Sequence, residues 1–380
     1  MLLKKVSWLM LMVLVVGLLA SCVVTPAPPA EQPEAAAPEQ QAAAVEEEAA
    51  TEAQVEAEPV AQAPQFRFVM VSHIGSNDPN MQWLTRSLDT FEEKYPDVET
   101  EYIATNEYSV QNHVQLIRQA LATNPDGLAV PIVSSEAFEP VLMEAIDAGI
   151  PVVAFNIPDT RPEGERIPYL TYVGGDEYLT GLKLGQDAIA KAEAGEIPMP
   201  TGVVCANHDA AHQGLKARCA GMTDAMAEIG VSTEDLFIGA EPEQARSTLE
   251  AFLSSNTDVN YIFNLASWSS PWSYSVASDL GLSPDVDNEG VTIITVDASP
   301  IALEGIKQGK VLSTHSQGFW LQGYLTMEWL YWYHTLGYEP QSDMLTGPVV
   351  VDNTHIDRWI ELVRNTFGEE YDAQTEAVWD

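Results

Sequence analysis

The chain has 380 residues, with 17 Lys and Arg against 56 Asp and Glu and a formal charge of −39. A field of that sign repels a phosphate backbone, so nucleic acid is excluded as a partner. The acidity needs no catalytic meaning; it keeps an exported chain in solution. The length suits two folded domains of about 150 residues each behind an N-terminal extension.

Lys4 and Lys5 precede an apolar stretch from Ser7 to Ala20. It is shorter than the roughly 20 residues that a bilayer span requires. With its charged start and small residues at the edge, the segment 1–21 reads as a secretory signal peptide. Leu19-Ala20-Ser21-Cys22 resembles the bacterial lipobox. That resemblance implies that Cys22 is lipidated, becomes the first mature residue and anchors the chain to the envelope, at the outer face of the cell membrane or in the periplasm. Residues 22–65 are rich in Ala, Pro, Glu and Gln and contain no Lys or Arg. Such a segment cannot bury enough apolar surface to offset its ordering entropy, so a disordered, self-repelling tether is expected.

From Phe66 onward apolar runs alternate with amphipathic stretches, the βαβ signature of a parallel sheet. Strands are predicted at 66–72, 98–104, 127–131, 151–156 and 170–173, with helices at 79–95, 110–121 and 137–148 between them. The rhythm then restarts, with strands at 201–205, 236–238, 260–264 and 291–296. Its helices are expected at 179–192, 214–229, 243–253, 272–280 and 301–308. A strand at 311–315, a long aromatic helix at 319–336, a strand at 348–351 and a helix from 356 complete the chain. The fold class is therefore α/β, with two doubly wound parallel units whose strand C-termini face crevices, where such sheets bind ligands.

Cys205 and Cys219 are the remaining cysteines. In an exported protein an even pair suggests a disulfide, with two buried free thiols as the alternative. Cys205 ends an apolar run and Cys219 falls early in the next predicted helix. His208 and His212, with Asp209 between, have half the makings of a zinc site, but no third ligand is evident and no metal is expected. No cofactor is expected either. There is no Gly-x-Ser-x-Gly elbow and no Gly-rich phosphate loop opening a helix.

Several segments in order carry a resemblance. They are Asn124-Pro-Asp-Gly-Leu-Ala-Val, Ala148-Gly-Ile-Pro-Val-Val-Ala-Phe-Asn156 and Tyr172-Val-Gly-Gly-Asp-Glu-Tyr. Gly214-Leu-Lys-Ala-Arg-Cys-Ala-Gly, Thr295-Val-Asp-Ala-Ser-Pro and Gln317 ahead of Leu321-Gln-Gly-Tyr324 follow. Together they resemble the type I periplasmic binding proteins, in the ribose/galactose-like sugar-binding branch of ABC importers. The resemblance runs from about residue 66 to 351. It implies two lobes, 66–174 plus 318–346 and 175–317 plus 347–380, joined by three crossing strands near Gly175, His315–Gln317 and Thr346–Val349. It also implies a monomer that closes on a sugar or polyol, makes no bond and delivers the ligand to a membrane permease.

Residue by residue, the resemblance implies ligand contacts from Arg218, Asp297, Gln317, Asn156 and Asp78. A guanidinium, carboxylates and amides together satisfy hydroxyls that both donate and accept. His73, at the mouth of the first strand, can bond a hydroxyl as a neutral imidazole, and His208 is expected to line the same cleft. Family members carry aromatic residues just after the Asp-Pro pair, but here Asn80 and Met81 stand there. Trp268 is the expected substitute for stacking on a ring, with Trp272 and Trp320 as alternatives. A sensor subunit presenting the same closed receptor to a chemoreceptor or kinase is a second reading. A secreted glycoside-acting enzyme is a third, which only the abundance of carboxylates supports.

Overall fold

The computed structural model describes residues 63–106, 109–287, 290–376 and 378–379. The expected signal peptide, Cys22 and nearly all of the expected tether lie outside these residues. In chain order come β1 (Phe66–Val71), α1 (Met81–Lys94), β2 (Val98–Ile103), α2 (Val110–Leu121) and β3 (Gly127–Val130). α3 (Ser135–Asp147), β4 (Val152–Phe155) and β5 (Tyr172–Gly174) follow. The second series is α4 (Glu177–Glu193), β6 (Val203–Asn207), α5 (Gln213–Ala227), β7 (Thr233–Phe237) and α6 (Pro242–Ser255). It continues with β8 (Tyr261–Asn264), α7 (Ser270–Asp279), β9 (Thr292–Ile294) and α8 (Pro300–Lys307). The chain ends with β10 (Ser313–Ser316), α9 (Phe319–Leu336), β11 (Met344–Leu345), β12 (Val349–Asp352), α10 (Ile356–Phe367) and α11 (Glu370–Thr375).

Two parallel sheets result, ordered β11-β5-β4-β3-β1-β2 and β7-β6-β8-β9, with β10 and β12 pairing antiparallel. Both parallel sheets reverse strand order beside their first strand, β1 or β6. In this architecture ligands bind at that reversal, outside the strand C-termini. The central strands β3 and β4 are buried along their whole length because helices cover both faces. α1 buries Trp83, Leu84, Leu88 and Phe91 along one face at helical spacing. α9 returns from the second lobe to pack on α1, β3, β4 and β5. Gly318 and Gly337, both with left-handed backbone, bracket it.

The lobes also touch through helices. Trp83 of α1 meets Phe367 of α10 edge to face, with centroids 5.2 Å apart. Cys205 and Cys219 are joined by a disulfide with Cα atoms 5.9 Å apart. Cys205 lies in the middle of β6 rather than at a strand end, so the bridge pins the body of α5 to the body of the strand. Two edge strands depart from the sequence reading. The strand expected at 236–238 starts earlier, as β7 at a sheet edge, where most of Thr233-Glu234-Asp235-Leu236-Phe237 faces outward and the first residues carry no apolar signal. β11 is only two residues long and extends the first sheet beside β5, at Met344↔Val173 and Leu345↔Gly174.

Candidate functional site

Strand ends from both lobes converge between the sheets. His73 follows β1, Asn156 follows β4 and the loop Asp78-Pro79-Asn80 leads into α1. Opposite them, His208 follows β6, Asn264 ends β8 and Asp297 follows β9. Asn156 and Asp297 have φ of 60° and 77°. Non-glycine residues enter this left-handed region rarely, Asn and Asp more readily than others, and backbone held there clusters at functional sites.

A buried chain of polar contacts runs through the centre. Gln317 Nε2 donates to Asp297 Oδ1 at 2.6 Å, and Gln317 Oε1 accepts from Asn156 Nδ2 at 3.2 Å. Asn156 Nδ2 also lies 3.2 Å from Gln322 Oε1. The Tyr172 hydroxyl stands 2.6 Å from the Asn156 carbonyl and 2.7 Å from that of Gly175, holding the strand end and the crossing segment together. From the first lobe, Asn80 Nδ2 donates to Asp297 Oδ2 at 3.1 Å. Asp297 thus accepts from the crossing strand with one oxygen and from the opposite lobe with the other. Burial lifts its carboxyl above the ordinary value, while Arg218 and the two amides hold it back.

Arg218, on α5, is buried and paired with Glu177 in the first turn of α4. Its Nη2 donates to Glu177 Oε1 at 3.1 Å and its Nη1 to the Leu265 carbonyl at 2.7 Å, while Nε bonds the second Glu177 oxygen. A guanidinium has five N–H donors, so two remain for the crevice. Burial alone would lower its pKa, but Glu177 and Asp297 keep it above the ordinary value and the cation persists. Asp78 Oδ1 accepts from Asn80 N at 2.8 Å, and burial, reinforced by Asp297, pushes the Asp78 carboxyl up to about 7.

One side of the crevice is aromatic. Trp268 stands 4.8 Å from the His208 ring and 5.1 Å from the Trp272 ring. The His73 and His212 rings meet edge to face at 5.5 Å. Three buried polar atoms here have no partner among the described residues: Asn80 Oδ1, Asn264 Nδ2 and His208 Nδ1. Asn264 Oδ1 is already committed to Ser269 and Ser273 at 3.3 and 2.7 Å, which fixes where its amide nitrogen points. A buried polar atom without a partner costs about 1–3 kcal/mol, so such atoms mark where a polar ligand would be stabilised.

The structure therefore brings Asn156, Asp297 and Gln317 into one hydrogen-bonded chain. It sets Arg218 beside them and seats Asp78, His73, His208 and Trp268 around the same crevice. Trp320 is elsewhere. It stacks on Tyr324 at 5.0 Å and borders a hollow of about 540 Å³ lined by Arg86, Asp89 and Thr366, which contains none of the crevice residues. Among the described residues no group of three or more His, Cys, Asp or Glu could hold a metal ion. Sequence reasoning gave no role to Asn80, Glu177 or Asn264, and weighed His212 only as half of a zinc site. Glu177 lies within a quoted segment, directly after the N-cap Asp176, but nothing local signals that it reaches a residue 41 positions away.

Residues 68–335 match the periplasmic binding protein domain family. The xylose/arabinose-binding protein of Sulfolobus acidocaldarius is 23% identical over 312 residues, covering 79% of this chain and 74% of that protein. A carbohydrate transporter from Acidothermus cellulolyticus, solved with myo-inositol, superposes with a TM-score of 0.67 at 23% identity, covering 80% of this chain and 99% of that one. A periplasmic sugar-binding protein of an ABC transporter from Legionella pneumophila gives 0.64 at 27% identity, covering 74% and 99%. Two doubly wound sheets with a polar crevice at both strand reversals, matched along most of the sequence, place the chain in the periplasmic binding protein domain family.

Proposed function

We propose that the protein captures a sugar or sugar-like polyol between its two lobes and delivers it to the permease of an ABC importer. It acts as a monomer held at the envelope by a lipid on Cys22, and the ligand leaves chemically unchanged. The observation that carries this reading is the convergence of side chains from both lobes and a crossing strand on one buried crevice. Asp297, Gln317 and Asn156 form its floor. Arg218 offers spare donors, Asn80 an acceptor and Asn264 a donor. Hydroxyls need both kinds of partner. Trp268 and Trp272 supply a flat apolar face for the C–H side of a ring. The related proteins named above, described as binding xylose and arabinose, myo-inositol and sugar, support the same ligand class. The segments at Gly175, Gln317 and Gly347 then act as the hinge.

Thermal unfolding with D-xylose, L-arabinose, D-ribose, D-galactose and myo-inositol tests this. A ligand at about 100 times its Kd stabilises the native state by about 2.7 kcal/mol. For a protein of this size that is a rise on the order of 5 °C. No shift with any of these compounds would remove the reading.

A further inference from the structure

His73 belongs to the first lobe, and His208 and His212 to the second. His212 Nδ1 accepts from Gly214 N at 3.1 Å and from Leu215 N at 3.4 Å, where it caps α5. That nitrogen must carry a lone pair. A protonated ring would aim an N–H at two others and lose the cap. The edge-to-face contact of the same ring with His73 spans the lobes. His208 packs on Trp268, with its Nδ1 buried and without a partner among the described residues. Arg218 on α5 sets a positive charge against all three rings, and His113 on α2 adds to the field at His73. The carboxylates of the crevice do not relieve this. Glu177 is committed to Arg218, Asp297 to Gln317 and Asn80, and Asp78 to the backbone at Asn80.

We propose that these three imidazoles make ligand capture proton-coupled, so that the lobes close only on uncharged rings and acidification opens the crevice. The proposal rests on the capture reading above for its ligand. Opening the crevice exposes the rings to solvent and removes the contact between His73 and His212, which moves their titration back towards the ordinary 6.5. In the closed form His73 and His208 are held at about 3, by burial first and then by neighbouring positive charge, and His212 well below 6.5 for the same reasons. Closing below pH 6.5 therefore expels protons, and the closed form is disfavoured progressively as pH falls from 6.5 towards 3. Above 6.5 the cost vanishes. Asp78 works in the opposite direction, because it takes up a proton on closing. Fewer than three protons are therefore released in net.

Titration calorimetry of the full chain in detergent, with D-xylose, L-arabinose and myo-inositol in buffers of different ionisation enthalpy, tests this. For whichever compound binds at pH 7.5, Kd should be at least ~10-fold weaker at pH 5.5, with net proton release. His212→Asn, which keeps a capping acceptor but cannot titrate, should reduce that pH effect by up to ~10-fold. A Kd constant within about twofold and no proton release would overturn the proposal. If none of the three binds at pH 7.5, capture of these ligands fails separately, and hydrogen exchange of the free protein decides the proton coupling. After correction for intrinsic rates, the Gly214 and Leu215 amides should lose at least ~10-fold protection between pH 7.5 and 5.5 in the wild type and none in His212→Asn. Unchanged protection in the wild type would count decisively against it.

Discussion

The two walls of the crevice are built differently. In the second lobe the charge is fixed by structure behind it. Arg218 is clamped by Glu177 and the Leu265 carbonyl, and the α5 that carries it is bonded to β6 through Cys205 and Cys219. α4 and α5 also touch backbone to backbone. A Cβ on Gly181 would lie 1.8 Å from the Arg218 carbonyl, and one on Gly221 would lie 2.0 Å from that of Tyr178. In the first lobe the polar groups sit on a loop before α1 and on strand ends, and Asp78, Asn80 and Asn156 themselves join no ion pair or disulfide among the described residues. Asn80 reaches across to Asp297 through a single amide. The contrast teaches that one wall presents a preformed cation while the other presents dipoles held by single contacts, which on the proposed reading adjust to the ligand.

Breaking the fixed wall should be costly. Glu177→Ala leaves a buried guanidinium without its carboxylate, which typically costs 3–5 kcal/mol. Urea denaturation should register it even without ligand, and a loss under ~1 kcal/mol would mean that Arg218 is not held by this pair. Opening the bridge comes next. Cys205→Ser with Cys219→Ser frees a loop of sequence separation 14. About 3 kcal/mol of stability should be lost for a loop of that length, read from the same denaturation curves. The adjustable wall should yield least. Asn80→Ala removes one neutral-to-charged hydrogen bond and should weaken ligand affinity by about 1–2 kcal/mol, roughly 5- to 30-fold, with little change in unfolding. An equal loss of stability would erase the distinction between the walls.

The α/β layering was legible because β1, β3, β4, β6 and β8 are short apolar runs set between amphipathic helices, a pattern that burial on both faces imposes. β7 was read only in its apolar end, at 236–238, because its first residues are polar at a sheet edge, and β11 was missed because two residues are too short to show any pattern. At the site, the family resemblance pointed to Asp297, Gln317 and Asn156, which the structure places in one hydrogen-bonded chain. Asn80, Glu177 and Asn264 were not, because their contacts are set by tertiary approach and no local spacing encodes them. His212 was read only as half of a metal site. Its role as a cap depends on the ring's tautomer, which sequence does not carry. Trp320, close to Gln317 in sequence, misses the crevice because it lies about 200° around α9 from Gln322, the residue that bonds Asn156.

The left-handed backbone at Asn156 and Asp297 constrains how this receptor can be retuned. Both positions admit Asn, Asp or Gly with little torsional strain, and β-branched or bulky side chains poorly. On the proposed reading, variation in ligand choice then arises mainly around them, at Asp78, His73, His208 and Trp268, where the main chain imposes no such restriction. Libraries built to redirect specificity should hold the two strained positions and randomise the rim.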